Sequence, residues 1–231
     1  MIEVLIGQLS SAGGPVLLAL FALSVAATAV TLFKIAQFRR MGAGRLRGAR
    51  RAVTMWLAGE RARAVEQAGR EGSPVAAAVQ AAMKSLMRFP GDRMRAQEIA
   101  TQTALDHITD MARHLRFLEA TVQAAPMLGL LGTVLGMISS FGELSRGGGA
   151  IDPSALATGI WAALLTTAAG LAIAIPFYFV WTWLDARVEE ERAMMEAAIG
   201  AVLFAESREP APHAAASPDD FVPDAARPAK A

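Results

Sequence analysis

Two stretches decide the fold: Ala125–Phe141, APMLGLLGTVLGMISSF, and Ala157–Pro176, ATGIWAALLTTAAGLAIAIP. Each is a long apolar run with glycines and hydroxyl side chains in its interior and no ionisable residue. The flanks lengthen both runs, because no charge falls between Glu119 and Glu143 or between Asp152 and Asp185. A helix needs roughly 20 apolar residues to cross about 30 Å of hydrocarbon, and a helix satisfies its own backbone there. Both runs qualify. The short glycine-rich segment from Glu143 to Asp152 joins them, so the pair reads as a membrane hairpin. Asp152 followed by Pro153 supplies a helix cap and a first-turn proline for the second arm.

A further apolar run lies between Glu3 and Lys34, with its body from Val16 to Phe33. Nothing basic precedes it, which argues against a cleaved signal peptide and for an uncleaved span. The positives follow instead, at Lys34, Arg39, Arg40, Arg45, Arg47, Arg50 and Arg51. The positive-inside rule keeps that block in the cytoplasm and puts the N-terminus on the other side. Three spans with the C-terminus inside are the expectation. The fold class is thus an all-α membrane protein whose three transmembrane helices extend into a cytoplasmic helical bundle. More than half of the residues are hydrophobic and the mean hydropathy is positive, as a polytopic membrane protein requires. The absence of cysteine excludes disulfides, thiolate metal sites and cysteine nucleophiles.

The expected organisation has five parts. Residues 1–38 form a periplasmic segment and the first span, and residues 39–118 a cytoplasmic helical domain. Residues 119–190 form the transmembrane hairpin, residues 191–206 a cytoplasmic helix and residues 207–231 a disordered tail rich in Ala, Pro and Asp. Within the cytoplasmic domain, Glu60 to Gly69 reads as a short charged helix ended by Gly72. Ser73 and Pro74 open another towards Phe89, and Pro90-Gly91 closes it. From Asp92 a helical pattern runs unbroken into the membrane, with Ala104, Ile108, Met111, Leu115, Leu118 and Val122 on one face. After the third span the pattern continues from Asp185 to Phe204 and is expected to pack beside that long helix.

The hairpin carries small residues at helical spacing. Gly129, Gly132 and Gly136 lie in one arm, and Ala163, Thr167, Gly170 and Ala174 in the other. Small residues let helices approach where lipid removes the hydrophobic drive, and close packing alone accounts for these stripes. Pro126, Thr133 and Ser140 recur at seven-residue spacing on the first arm. A buried threonine usually bonds the carbonyl one turn back, yet several hydroxyls on adjacent small-residue faces could line a wet lumen.

The AP-x-LGLLGTV-x-GM block with TTA-x-GLA-x-AIP resembles the core signature of the MotA/TolQ/ExbB family, and most resembles its ExbB and TolQ branch; the likeness covers roughly Phe117 to Val188. The resemblance implies a channel-forming subunit of an inner-membrane motor driven by the proton motive force. It implies a homopentamer in the lipid bilayer around a single-span ExbD/TolR-like partner, and a TonB-like or TolA-like protein that receives the work. It puts Thr133 and Thr167 near the ion path, with Thr166 and Ser140 beside them, and gives Gly129, Gly132, Gly136, Gly170, Pro126 and Pro176 to helix packing. Two positions depart from the family pattern: Ala162 stands where many members have Glu, and Thr182 where many have Asn. With no ionisable residue in either arm, the chain lacks a titrating relay of its own, so the partner must bring the membrane carboxylate.

Other chemistries are poorly represented. His107, Asp110 and His114 have helical metal-pair spacing, which solvated faces also produce by chance. There is no phosphate-binding loop, so neither ATP nor any cofactor is called for, nor are catalytic residues, a metal or nucleic acid. An enzyme is not expected. A TolQ-like role in the envelope differs only in its partner. A secondary transporter would want more spans and a broken-helix site. A passive scaffold would tolerate apolar residues at Thr133 and Thr167.

Overall fold

The computed structural model describes residues 14–146 and 153–208. They form seven helices and no strand: α1 Gly14–Met41, α2 Arg47–Leu57, α3 Arg61–Arg70, α4 Pro74–Arg88, α5 Arg93–Ala112, α6 Leu115–Arg146 and α7 Pro153–Arg208. Three of the helical stretches are long and apolar enough to cross a membrane: α1, the apolar part of α6, and the first part of α7. The cap expected at Asp152 and the tail expected beyond Arg208 lie outside the described residues.

The membrane layer is a closely packed antiparallel pair, α6 and α7, with α1 laid against one side. Val16 and Leu20 of α1 are buried with Ala125 of α6 and Ala174 of α7. Further along, Ala27 and Phe38 pack with Leu115, Leu118, Leu184 and Val188. Large apolar side chains such as Phe21, Leu130, Ile138, Leu164 and Phe179 remain exposed, as lipid-facing or subunit-facing residues do.

The cytoplasmic layer owes its tightness to alanine. Ala52, Ala64, Ala68, Ala76, Ala82, Ala96 and Ala100 are buried between α2, α3, α4 and α5, around Val79, Met83 and Leu86. The far end of α7 closes this core with Met195, Ile199, Val202 and Leu203. The expected packing of this segment beside the long helix is therefore found, and α7 runs through residues 185–204 without a break. The Ser73 cap is found as read: Ser73 Oγ accepts from the Ala76 N–H at 3.3 Å ahead of Pro74. Asp92 is a cap as well, its Oδ1 accepting from the Arg95 N–H at 3.0 Å. Gly91 turns the chain with φ +86°.

The basic segment after α1 contains a further helix, α2, whose buried face is Gly48, Ala49, Ala52 and Trp56. One expectation needs correction: the long helix from Asp92 is not continuous. It stops at Ala112 and resumes at Leu115, with His114 at φ +68°. No Gly or Pro marks this break, although His is among the residues that tolerate the left-handed region. The cause is tertiary. Lys34 of α1 is fully buried, and its Nζ donates to the carbonyls of Met111 at 2.8 Å and Asp110 at 3.4 Å, and to Gln37 Oε1 at 2.9 Å. A buried ammonium thus caps the carbonyls that the end of α5 leaves free, where the helix dipole favours a cation. The His114 ring stands edge-on to Phe33 of α1, with centroids 5.9 Å apart.

Candidate functional site

The hairpin seam is built from residues too small to hold the helices apart. A Cβ added at Gly129 would lie 2.9 Å from the Thr166 carbonyl oxygen and 3.0 Å from Thr167 Cα. One at Gly136 would lie 2.8 Å from Ala163 Cβ, and one at Gly170 2.5 Å from the Ala125 carbonyl oxygen. At Gly132 it would meet the Thr166 side chain, with Cβ 2.6 Å away, and at Gly159 the Ser140 side chain. Contacts this short leave no room for a methyl group without moving a backbone, so the glycines set the helix separation.

Thr166 locks the seam. It is fully buried, and its hydroxyl lies 2.7 Å from the Ala163 carbonyl one turn back and 3.0 Å from the Gly129 carbonyl on α6. Ser140 bonds its own helix at the Gly136 carbonyl, 2.9 Å away, and faces Gly159. These two hydroxyls, expected beside the ion path, are engaged between the helices. Pro126 is half-buried beside the seam, and Pro176 is exposed and outside it, so within one chain Pro176 does not serve the packing expected of it. Pro176 nonetheless sits inside α7, where it withholds an N–H from the ladder.

Thr133 and Thr167 occupy a different position. Each follows a seam residue by one place, Gly132 and Thr166, and a one-residue step turns a helix by about 100°. In an antiparallel pair that step carries both side chains to the same side of the hairpin. Residues one place before the seam, Leu128 and Ala169, lie on the other side, where α1 packs. Thr133 and Thr167 therefore belong to the hairpin face that α1 leaves uncovered. Thr133 Oγ1 donates to the Leu130 carbonyl at 2.6 Å and lines an open apolar groove with Val134, Met137 and Phe141. Thr167 Oγ1 is buried without a hydrogen-bond partner among the described residues. An unpaired hydroxyl in this setting costs about 1–3 kcal/mol, which a donor or acceptor arriving on that face would relieve. Ala162 is half-buried and brings no carboxylate.

Outside the membrane lies one further buried group that the sequence reading missed. Glu191 of α7 is buried, and its Oε1 accepts from the Gly44 N–H in the α1–α2 turn, while Oε2 has no partner among the described residues. Burial pushes its carboxyl above the usual carboxylate range, against the opposing pull of the Gly44 bond. Helical periodicity flags neither Lys34, a lone charge at the end of an apolar run, nor Glu191, one of four consecutive charges from Glu189 to Arg192. Among the described residues no cluster of His, Asp or Glu could hold a metal ion.

Comparison with known proteins agrees with this geometry. The model of the MotA/TolQ/ExbB proton channel family matches residues 70–197, just over half of the chain. The chain is 33% identical over 128 residues to an ExbB homologue of Methanothermobacter thermautotrophicus described as a biopolymer transport protein, a match covering 55% of this chain and 44% of that one. It is 50% identical over 62 residues to the biopolymer transport protein exbB1 of Vibrio cholerae, covering 27% of each. It is 42% identical over 67 residues to the biopolymer transport protein ExbB of Helicobacter pylori, covering 29% of this chain and 46% of that one. The matched stretch thus spans less than half the length of each of these relatives.

Proposed function

The chain belongs to the MotA/TolQ/ExbB proton channel family, and we propose that it is the channel-forming subunit of an ExbB-like motor driven by the proton motive force. Five copies would enclose an ExbD-like single-span partner, which supplies a membrane aspartate. Proton passage at that aspartate would turn or displace the partner and energise a TonB-like protein for outer-membrane transport. In this reading residues 119–190 make the channel, residues 39–118 and 191–206 make its cytoplasmic bundle, and residues 1–38 hold the first span. The membrane is the bacterial inner membrane, with the N-terminus outside and the C-terminus inside.

The observation that carries the proposal is the uncovered hairpin face. It carries Thr133, whose hydroxyl donates to the Leu130 carbonyl, and Thr167, whose hydroxyl lies just beneath it without a partner among the described residues, and it has no ionisable side chain. A threonine hydroxyl offers one donor and two acceptor sites, and in a low-dielectric pore it can steady either protonation state of a neighbouring carboxylate. It cannot itself titrate, so the proton must ride on the partner. The test is co-expression with the single-span protein encoded next to this chain. Purification should yield a complex of both, and proton flux into proteoliposomes should be abolished when the partner's membrane aspartate is changed to Asn. Flux from this chain alone, at the rate of the complex, would overturn the reading.

A further inference from the structure

The arginines that follow α1 stand in a stretch with no acidic residue. Four arginines of later helices have a carboxylate one turn away: Arg63 with Glu60 at 3.2 Å, Arg70 with Glu66 at 2.7 Å, Arg187 with Glu190 at 3.1 Å, Arg192 with Glu189 at 3.7 Å. That is the ordinary solvated helix face. Arg39, Arg40, Arg45, Arg47, Arg50 and Arg51 are all exposed, and among the described residues none is in an ion pair. The sequence allows no local partner, since residues 4–59 contain neither Asp nor Glu. Two carboxylates reach this region from elsewhere: Glu191 accepts from the Gly44 N–H, and Glu71 lies against Gly48 on the inner face of α2, and neither is in an ion pair with these arginines.

Their height relative to the bilayer is fixed by packing. Phe38 is buried against Leu184 and packs with Trp181. On α7 the aromatic group Tyr178, Trp181 and Trp183 immediately precedes Asp185, the composition of a membrane–water boundary. Arg39 and Arg40 lie about 9–10 Å along α1 beyond Phe33, the end of its apolar body, at 1.5 Å per residue. That distance reaches the headgroup layer. Arg45 and Arg47 come next, at the turn held by Glu191. Arg50 and Arg51 are farther out, because α2 runs along α7 from the level of Met194 towards Ala201. On α2 the arginines share the exposed face opposite Gly48, Ala49 and Trp56, so the fold points them outward together.

We propose that Arg39, Arg40, Arg45 and Arg47 form a binding surface for the phosphate groups of anionic phospholipids, with Arg50 and Arg51 as a weaker outer pair. Guanidinium groups suit this partner, since they bind phosphate oxygens through two parallel N–H bonds and shed water more easily than ammonium groups. Orienting the chain requires only positive charge; an unpaired, outward-facing, all-arginine surface at headgroup height supplies a ligand geometry as well. The surface rests on the membrane-spanning fold and not on the proton-channel proposal, so either can fail without the other.

The test measures thermal stabilisation and lipid retention of the full chain in zwitterionic detergent, with added phosphatidylglycerol, phosphatidylcholine or inorganic phosphate. Phosphatidylglycerol should bind preferentially. The preference should fall roughly fivefold per inner arginine changed to Gln, the equivalent of about 1 kcal/mol each. R50Q/R51Q should change it less than R39Q/R40Q, and a fourfold Arg→Lys variant, which preserves orientation, should retain part of it. A correctly inserted fourfold Gln variant with undiminished preference would overturn the proposal. So would equal stabilisation by millimolar inorganic phosphate, or loss of oligomeric state by the fourfold Gln variant in phosphatidylglycerol and phosphatidylcholine nanodiscs alike, which would mark the face as a contact between copies.

Discussion

Thr166 Oγ1 lies 3.0 Å from the Gly129 carbonyl oxygen on the facing helix, while the next residue, Thr167, has a buried hydroxyl with no partner. Adjacent threonines in one motif thus have opposite roles, one closing the hairpin and the other turned to the face that α1 leaves bare. The difference is one helical step, and it makes the two separable by mutation.

Thr166→Val should cost stability without a specific block of function. The interhelical bond is worth about 0.6 kcal/mol and at most about 1.7 in a membrane. A modest fall in melting temperature in detergent is expected, with activity per folded complex preserved. Gly132→Leu should do more, because the added bulk meets Thr166 directly, and size-exclusion chromatography should show disturbed assembly. A Gly132→Leu protein of native size and activity would contradict the packing account.

Thr133→Val and Thr167→Val should give the reverse pattern. Valine preserves the shape and removes only the hydroxyl, and at Thr167 that hydroxyl has no partner among the described residues. Both variants are expected to assemble with the partner and to lose energy-dependent uptake, with Thr→Ser retaining more. Full uptake with both valines present would reduce these hydroxyls to local helix groups.

Lys34→Met should loosen the α5–α6 junction. It leaves the Met111 and Asp110 carbonyls without their donor, and a buried unpaired acceptor costs about 1–3 kcal/mol. Amide exchange around residues 110–116 should accelerate more than exchange in α4. Uniform exchange across the bundle would refute Lys34 as the cap of α5.

Glu191 sets a pH dependence of known sign. Burial holds its carboxyl above the ordinary value of 4.5, so the folded state binds the proton more tightly than the unfolded one. Stability contributed by the protonated group is present at low pH and is lost as pH rises through the raised value. Glu191→Gln should remove that slope while its amide oxygen still accepts from Gly44. Melting curves between pH 4 and pH 8, with a slope shared by both proteins, would assign the effect elsewhere.

Orientation is accessible because the chain has no cysteine. Single cysteines at Ser11 and Ser217 should be labelled from opposite sides of the membrane by an impermeant maleimide. Labelling from one side would refute the orientation derived from Arg39 to Arg51.

The chain's own wording was enough for everything that depends on composition and local chemistry. Three apolar runs of sufficient length, the Ser73-Pro74 cap and the glycines of the hairpin arms each act through their own or adjacent residues, and transfer free energy and capping are legible at that range. Which hydroxyl of Thr166-Thr167 is consumed was not legible, because a 100° difference on a helix has meaning only once the facing helix is in register. Nor was the break at His114, where no residue within α5 or α6 demands one. It exists because Lys34, 80 residues earlier in the chain than His114, brings a buried ammonium to the carbonyls of Asp110 and Met111. Glu191 and Gly44 meet for the same reason. Buried charges find partners across sequence distance, and only the packed helices decide which carbonyl or N–H is within reach.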